Sequence, residues 1–85
     1  MLRSAEAQPD ASPRADQIDK IVARNIHAWR IERAFTLKSM AERVGVTYQM
    51  LQKYEAGDCR VSAGRLWRIA EILNIGLLRL FDSVA

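Results

Sequence analysis

The segment Thr36–Gly57, "TLKSMAERVGVTYQMLQKYEAG", decides the fold. Thr36 is a residue type that caps helix N-termini. Ser39, at the third helical position, is a poor substitute for the Glu or Gln of a capping box. Leu37, Met40, Ala41 and Val44 recur at three- and four-residue steps and give a two-turn helix one apolar side. Gly45 ends it, because glycine enters the left-handed conformation cheaply and lets the chain turn sharply. Thr47 can then cap a further helix that reaches Glu55 or Ala56 and stops at Gly57. Val46 can plug the angle between the two helices, and Ala41 is small enough for them to approach closely. A small residue, a glycine and an apolar plug at this spacing are what a helix–turn–helix needs.

The second helix of this pair divides cleanly. At about 100° per residue, Tyr48, Gln52, Gln49 and Lys53 fall within an arc of about 140°, while Met50, Tyr54 and Leu51 occupy the opposite arc. A solvated helix face ordinarily mixes charges of both signs. This one holds no acid, but two amides, a phenol and an amine. Glutamine can pair with adenine N6 and N7 in the major groove, worth about 1–3 kcal/mol of discrimination. Lysine reaches guanine or phosphate, and tyrosine offers its hydroxyl to phosphate or its ring to a thymine methyl. The pattern favours nucleic acid over a plain solvated surface.

Working outward, Asp16 is placed to cap a first helix running to about Ala34, with Ile18, Val22, Ile26 and Trp29 on its buried face. Residues 1–16, rich in Ala, Ser, Pro and Asp, read as a disordered arm, leaving 17–83 as the ordered domain. A fourth helix begins at Ser62 or Ala63, with Leu66, Ile69, Ala70 and Leu73 inward. A break at Asn74 and Gly76 precedes a fifth, Leu77 to about Ser83, that offers Leu77, Leu80 and Phe81 to the core. No stretch alternates as a strand would. The expectation is an all-α bundle of five helices.

The 85 residues support one domain at most. The net charge of +3 is uneven: Arg3 and Arg14 are outnumbered by Glu6, Asp10 and Asp16, so the cationic excess lies entirely in the ordered part. Such an excess suits a polyanionic partner. No apolar run is long enough for a membrane span and the N-terminus lacks a secretion signal, so a cytoplasmic protein is expected. Cys59 is the single cysteine, which rules out an internal disulfide or a cysteine metal site. His27 has no ligand-spaced neighbours and reads as a surface residue. No metal and no cofactor are expected. No Ser/His/Asp, Cys/His or paired-carboxylate arrangement converges on a pocket, so an enzyme is not expected.

Together, "TLKSMAERVGVTYQMLQKYEAG" and the following "RVSAGRLWRIAEILNI" resemble the lambda-repressor-like DNA-binding domain of the Xre/Cro family over residues 17–82. The resemblance implies prokaryotic or phage regulators that bind duplex DNA through the second helix of the motif, usually as dimers. By position, it makes Tyr48, Gln49, Gln52 and Lys53 the base readers. It makes Thr47 a cap that also touches phosphate, and Arg60 a backbone grip in the following loop. It pairs Arg30 with Glu55 to tie the first helix to the third. The family commonly has glutamine where this chain has Leu37, which cannot bind phosphate; Lys38 or the helix N-terminal amides stand in. Arg43 is either a further phosphate contact or a solvated charge.

One such domain reads only a few base pairs, so a homodimer on two half-sites is expected. Trp67, Ile72 and Leu78, large apolar residues off the inward faces of their helices, are candidates for the two-fold interface, with partial burial in the monomer as the alternative. The leading expectation is a sequence-specific transcriptional regulator, a repressor. The alternative is a DNA-binding antitoxin, whose protein partner docks on the arm or on the Trp67/Leu78 surface.

Overall fold

The computed structural model describes residues 11–83, which form four α-helices and one short 3₁₀ helix. The helices are α1 (Ala11–Glu32), α2 (Leu37–Val44), α3 (Tyr48–Ala56) and α4 (Ala63–Leu73); the 3₁₀ helix is Leu77–Phe81. No strand occurs among the described residues.

Local chemistry accounts for the boundaries. The Thr36 hydroxyl accepts the Ser39 amide at 2.9 Å, and Ser39 Oγ accepts the Thr36 amide at 3.1 Å. The serine, short as it is, therefore closes the capping box. Thr47 accepts the Met50 amide at 3.1 Å and Ser62 the Arg65 amide at 3.2 Å. At the other ends Gly45 (φ 91°), Gly57 (φ 80°) and Asn74 (φ 58°) turn left-handed. The Gly45 and Val46 amides both return to Ala41 O, at 2.8 and 3.0 Å, which fixes the sharp turn between α2 and α3. Ala34 also takes a positive φ of 62° where α1 turns toward α2, a position an alanine does not advertise in sequence.

The core centres on Ile26, Met40, Leu51, Ile69, Leu73 and Leu80, all essentially inaccessible. α3 packs on α1 and α2, α4 on α2, and the 3₁₀ helix on α1 and α4. Fully burying a side chain of this class contributes about 1.5–3 kcal/mol, so the contacts that seat α3 are principally apolar.

Four sequence expectations change. The fifth helix is a 3₁₀ turn, leaving four α-helices. Gly76 supplies no side-chain cap, and five residues close through an Arg79 N–H to Gly76 O bond of 3.0 Å. With three residues per turn, Leu77 and Leu80 share one side and Leu78 and Phe81 another. Phe81 is consequently exposed rather than inward. α1 starts at Ala11, so Asp16 lies within the helix instead of capping it; residues 1–10 of the expected arm lie outside the described residues. Ile18 is 41 % exposed rather than core, because the described side chains from Arg14 to Ile18 all precede the packed part of α1, which begins near Val22.

Candidate nucleic-acid interface

α3 is anchored from beneath. Leu51 is wholly buried, Tyr54 nearly so, and Met50 packs at the core margin. That arrangement leaves the opposite arc free: Tyr48, Gln49, Gln52 and Lys53 are all exposed. Four polar side chains, none of them acidic, thus project from one face of a nine-residue helix. Such a helix fits the roughly 12 Å width of the major groove.

The orientation of α3 against α1 has a polar fastener. Arg30 Nε donates to Glu55 Oε2 at 2.6 Å and its Nη2 to Glu55 Oε1 at 3.2 Å. Arg30 Nη1 also donates to Phe35 O at 2.8 Å, tying the α1–α2 connection into the same node. Both charged side chains are more than nine-tenths buried. A bidentate arginine–carboxylate contact fixes angle as well as distance. Glu55 makes a third bond, to His27 Nδ1 at 2.8 Å. A carboxylate only accepts, so the proton in that bond sits on Nδ1.

The expected backbone-contacting residues lie on different elements. Thr47 sits at the N-terminus of α3 and spends its hydroxyl on the cap. Lys38 lies exposed in the first turn of α2. The Arg43 guanidinium stacks 5.3 Å from the Phe35 ring centroid, so part of its surface packs against protein. Arg60 leans onto α1, with Nε 2.9 Å from Asp19 Oδ2 and Nη2 3.9 Å from Asp16 Oδ1. Its side chain remains 70 % exposed, and a surface pair of this kind contributes little stability. Displacing it toward a phosphate is therefore inexpensive.

Of the three candidate interface residues, Trp67 and Leu78 stand out from the surface at 60 % and 76 % exposure. Ile72 does not join them; it is half-buried and packs against the core.

Several polar anchors were not read from the sequence. Asn25, buried, donates from Nδ2 to Leu80 O at 2.9 Å and to Asp82 O at 2.8 Å, holding the 3₁₀ helix to α1. Arg33 Nε donates to Leu73 O at 2.8 Å, at the end of α4. Arg33 and Arg79 both lie over the Trp29 ring, 4.9 and 5.2 Å from its centroid. The usable signal was at Asn25: a lone amide between Val22 and Ile26 on an otherwise apolar face needs partners there.

Known proteins share this fold. Residues 26–80 match the HTH_3 helix-turn-helix family model. An uncharacterised HTH-type transcriptional regulator of Sinorhizobium fredii is 39 % identical over 71 residues, covering 84 % of this chain and 50 % of the relative. One from Rickettsia conorii is 35 % identical over 68 residues, covering 80 % and 54 %. The chain thus spans about half the length of these curated relatives. Among solved structures, an HTH_3 family transcriptional regulator from Vibrio cholerae superposes with a TM-score of 0.71 at 26 % identity, over 78 % of this chain and 37 % of that one. A hypothetical transcription factor from Neisseria, 15 % identical with a TM-score of 0.72 over 79 % and 78 % of the two chains, shares the fold. The chain belongs to the HTH_3 family of helix-turn-helix domains, the lambda-repressor-like type.

Proposed function

We propose that this protein is a sequence-specific duplex DNA-binding transcriptional regulator that docks α3 in the major groove, binds as a homodimer and acts as a repressor. The observation that carries the reading is the acid-free exposed face of Tyr48, Gln49, Gln52 and Lys53 on a helix anchored by Leu51, Tyr54 and the Arg30–Glu55 pair. The two glutamines are suited to adenine edges, with Lys53 and Tyr48 reading guanine, thymine methyl or nearby phosphates. Thr47, Lys38, Arg43 and Arg60 supply contacts to the phosphate backbone, which set register without carrying sequence. Regulators of transcription among the relatives support the same role.

The dimer follows from the small footprint of a single recognition helix. Two copies related by a two-fold axis place two such helices about 34 Å apart, one turn of the duplex. Trp67 and Leu78 offer the exposed apolar surface an isologous contact uses. Repression requires only that the bound dimer occupy a promoter, with no additional surface for polymerase.

Selection of bound duplexes from a random pool tests the proposal. The expected product is an inverted repeat with half-sites about one turn apart, bound by two copies in sedimentation. An unenriched pool would overturn sequence specificity, and a single bound copy would overturn the dimer. A promoter carrying the selected site should be silenced by the protein in a reporter assay; increased output would overturn repression.

A further inference from the structure

We propose that Lys20 and Arg24 form a second phosphate-binding track on α1 that grips the duplex backbone flanking the bases read by α3. The proposal rests on the DNA-binding reading above and extends its footprint to a helix outside the two-helix motif. Lys20 and Arg24 also lie N-terminal to the matched residues 26–80.

The two side chains share a face, about 40° apart at 100° per residue, and both are exposed. Neither Lys20 nor Arg24 pairs with a carboxylate among the described residues, although three carboxylates are close by. Those three are already engaged: Asp19 and Asp16 by Arg60, and Glu55 by Arg30 and His27. In the free protein Lys20 and Arg24 are therefore left facing solvent without a partner of opposite sign among the described residues.

Their placement points to a polyanion continuous with the α3 site. Lys20, Ala23, Arg24 and His27 border a groove of about 340 Å³ whose other wall is Glu55 and Ala56. Ala56 follows Gln49 by seven residues and Gln52 by four, so it continues the candidate reading face by one turn. The groove thus opens where that face ends. Gly57 lies beside this groove: a Cβ there would meet Ala23 Cβ at 3.8 Å and Lys20 Cγ at 3.9 Å, ordinary van der Waals contact. Lys20 and Arg24 are separated by about 6 Å along the helix axis. Successive phosphates of one strand advance by about 3.4 Å along the duplex axis, so the two long side chains can reach neighbouring or next-neighbouring phosphates.

The test uses the full chain and a duplex selected by the wild-type protein, with affinity measured across a potassium chloride series. Lys20→Gln/Arg24→Gln should lower the magnitude of the log-affinity against log-salt slope by about two, since each lost phosphate contact removes about 0.9. Base preference should stay the same. Thermal melting checks that the double variant is folded, as expected for two exposed residues. Arg14→Gln is the control, because Arg14 lies on another face of α1 and should leave the slope unaltered. An unchanged slope in the double variant, or an equal loss in the control, would overturn the track while leaving the α3 reading intact. Failure of the wild-type protein to bind any duplex would overturn the underlying reading instead.

Discussion

Removing Glu55 should damage the fold far more than the choice of bases. The carboxylate accepts from Arg30 Nε at 2.6 Å, Arg30 Nη2 at 3.2 Å and His27 Nδ1 at 2.8 Å. In Glu55→Ala, the buried guanidinium keeps only its bond to Phe35 O. Breaking a buried ion pair from one side costs about 3–5 kcal/mol. The lower end applies here, because the Phe35 carbonyl remains and the groove beside Glu55 admits water. For a domain of this size each kcal/mol shifts the melting temperature by about 4–8 °C, so a loss of about 3 kcal/mol corresponds to about 12–24 °C. Circular dichroism melting and urea titration read this directly. The double variant Arg30→Met/Glu55→Leu should recover much of the loss, since no uncompensated charge is left. The reasoning fails if Glu55→Ala melts like the wild type. It also fails if the losses of Arg30→Met and Glu55→Leu, measured singly, simply add in the double variant, because residues in contact should couple by at least about 0.5 kcal/mol.

Other positions give sharp expectations. Gly45→Ala has open space around its Cβ but must hold φ near 91°, so it should cost about 1–2 kcal/mol by torsional strain alone, read by urea titration. Asn25→Ala strips donors from Leu80 O and Asp82 O; it should cost about 1–3 kcal/mol and speed amide exchange in the 3₁₀ segment. Arg60→Ala should leave base preference unchanged and flatten the salt dependence of DNA binding by about one unit, with little change in melting because its pairs with α1 are exposed.

The helix-turn-helix was legible because its determinants are local. Thr36, Gly45, Thr47 and Gly57 act within a few residues of themselves, and the apolar spacing of Met40, Ala41, Val44, Leu51 and Tyr54 names the buried faces directly. The exposed face of α3 follows from the same arithmetic, since whatever is not anchored on a nine-residue helix must point away. Legibility failed where the decisive partner is distant in sequence. Asn25 is explained only by carbonyls more than fifty residues on. His27 is exposed, as read, but its bond to Glu55 was not legible, because only the packing of α3 on α1 brings the two together. Leu77–Phe81 carried a pattern that either a 3.6- or a 3.0-residue period could use. The shorter period prevailed in a five-residue element, and Phe81 moved to the surface. Ile18 continued the apolar rhythm of α1 past the point where other elements pack against it.

The central claim is that the α3 face reads bases. The most direct measurement is the affinity ratio between a selected duplex and a shuffled duplex of equal composition, at one physiological salt concentration. For the wild-type protein the ratio should reach at least about 10³. Gln49→Ala/Gln52→Ala should reduce it by about 1–3 kcal/mol per lost pairing, without changing the salt slope. A wild-type ratio near one, or a ratio untouched by the double substitution, would contradict the account.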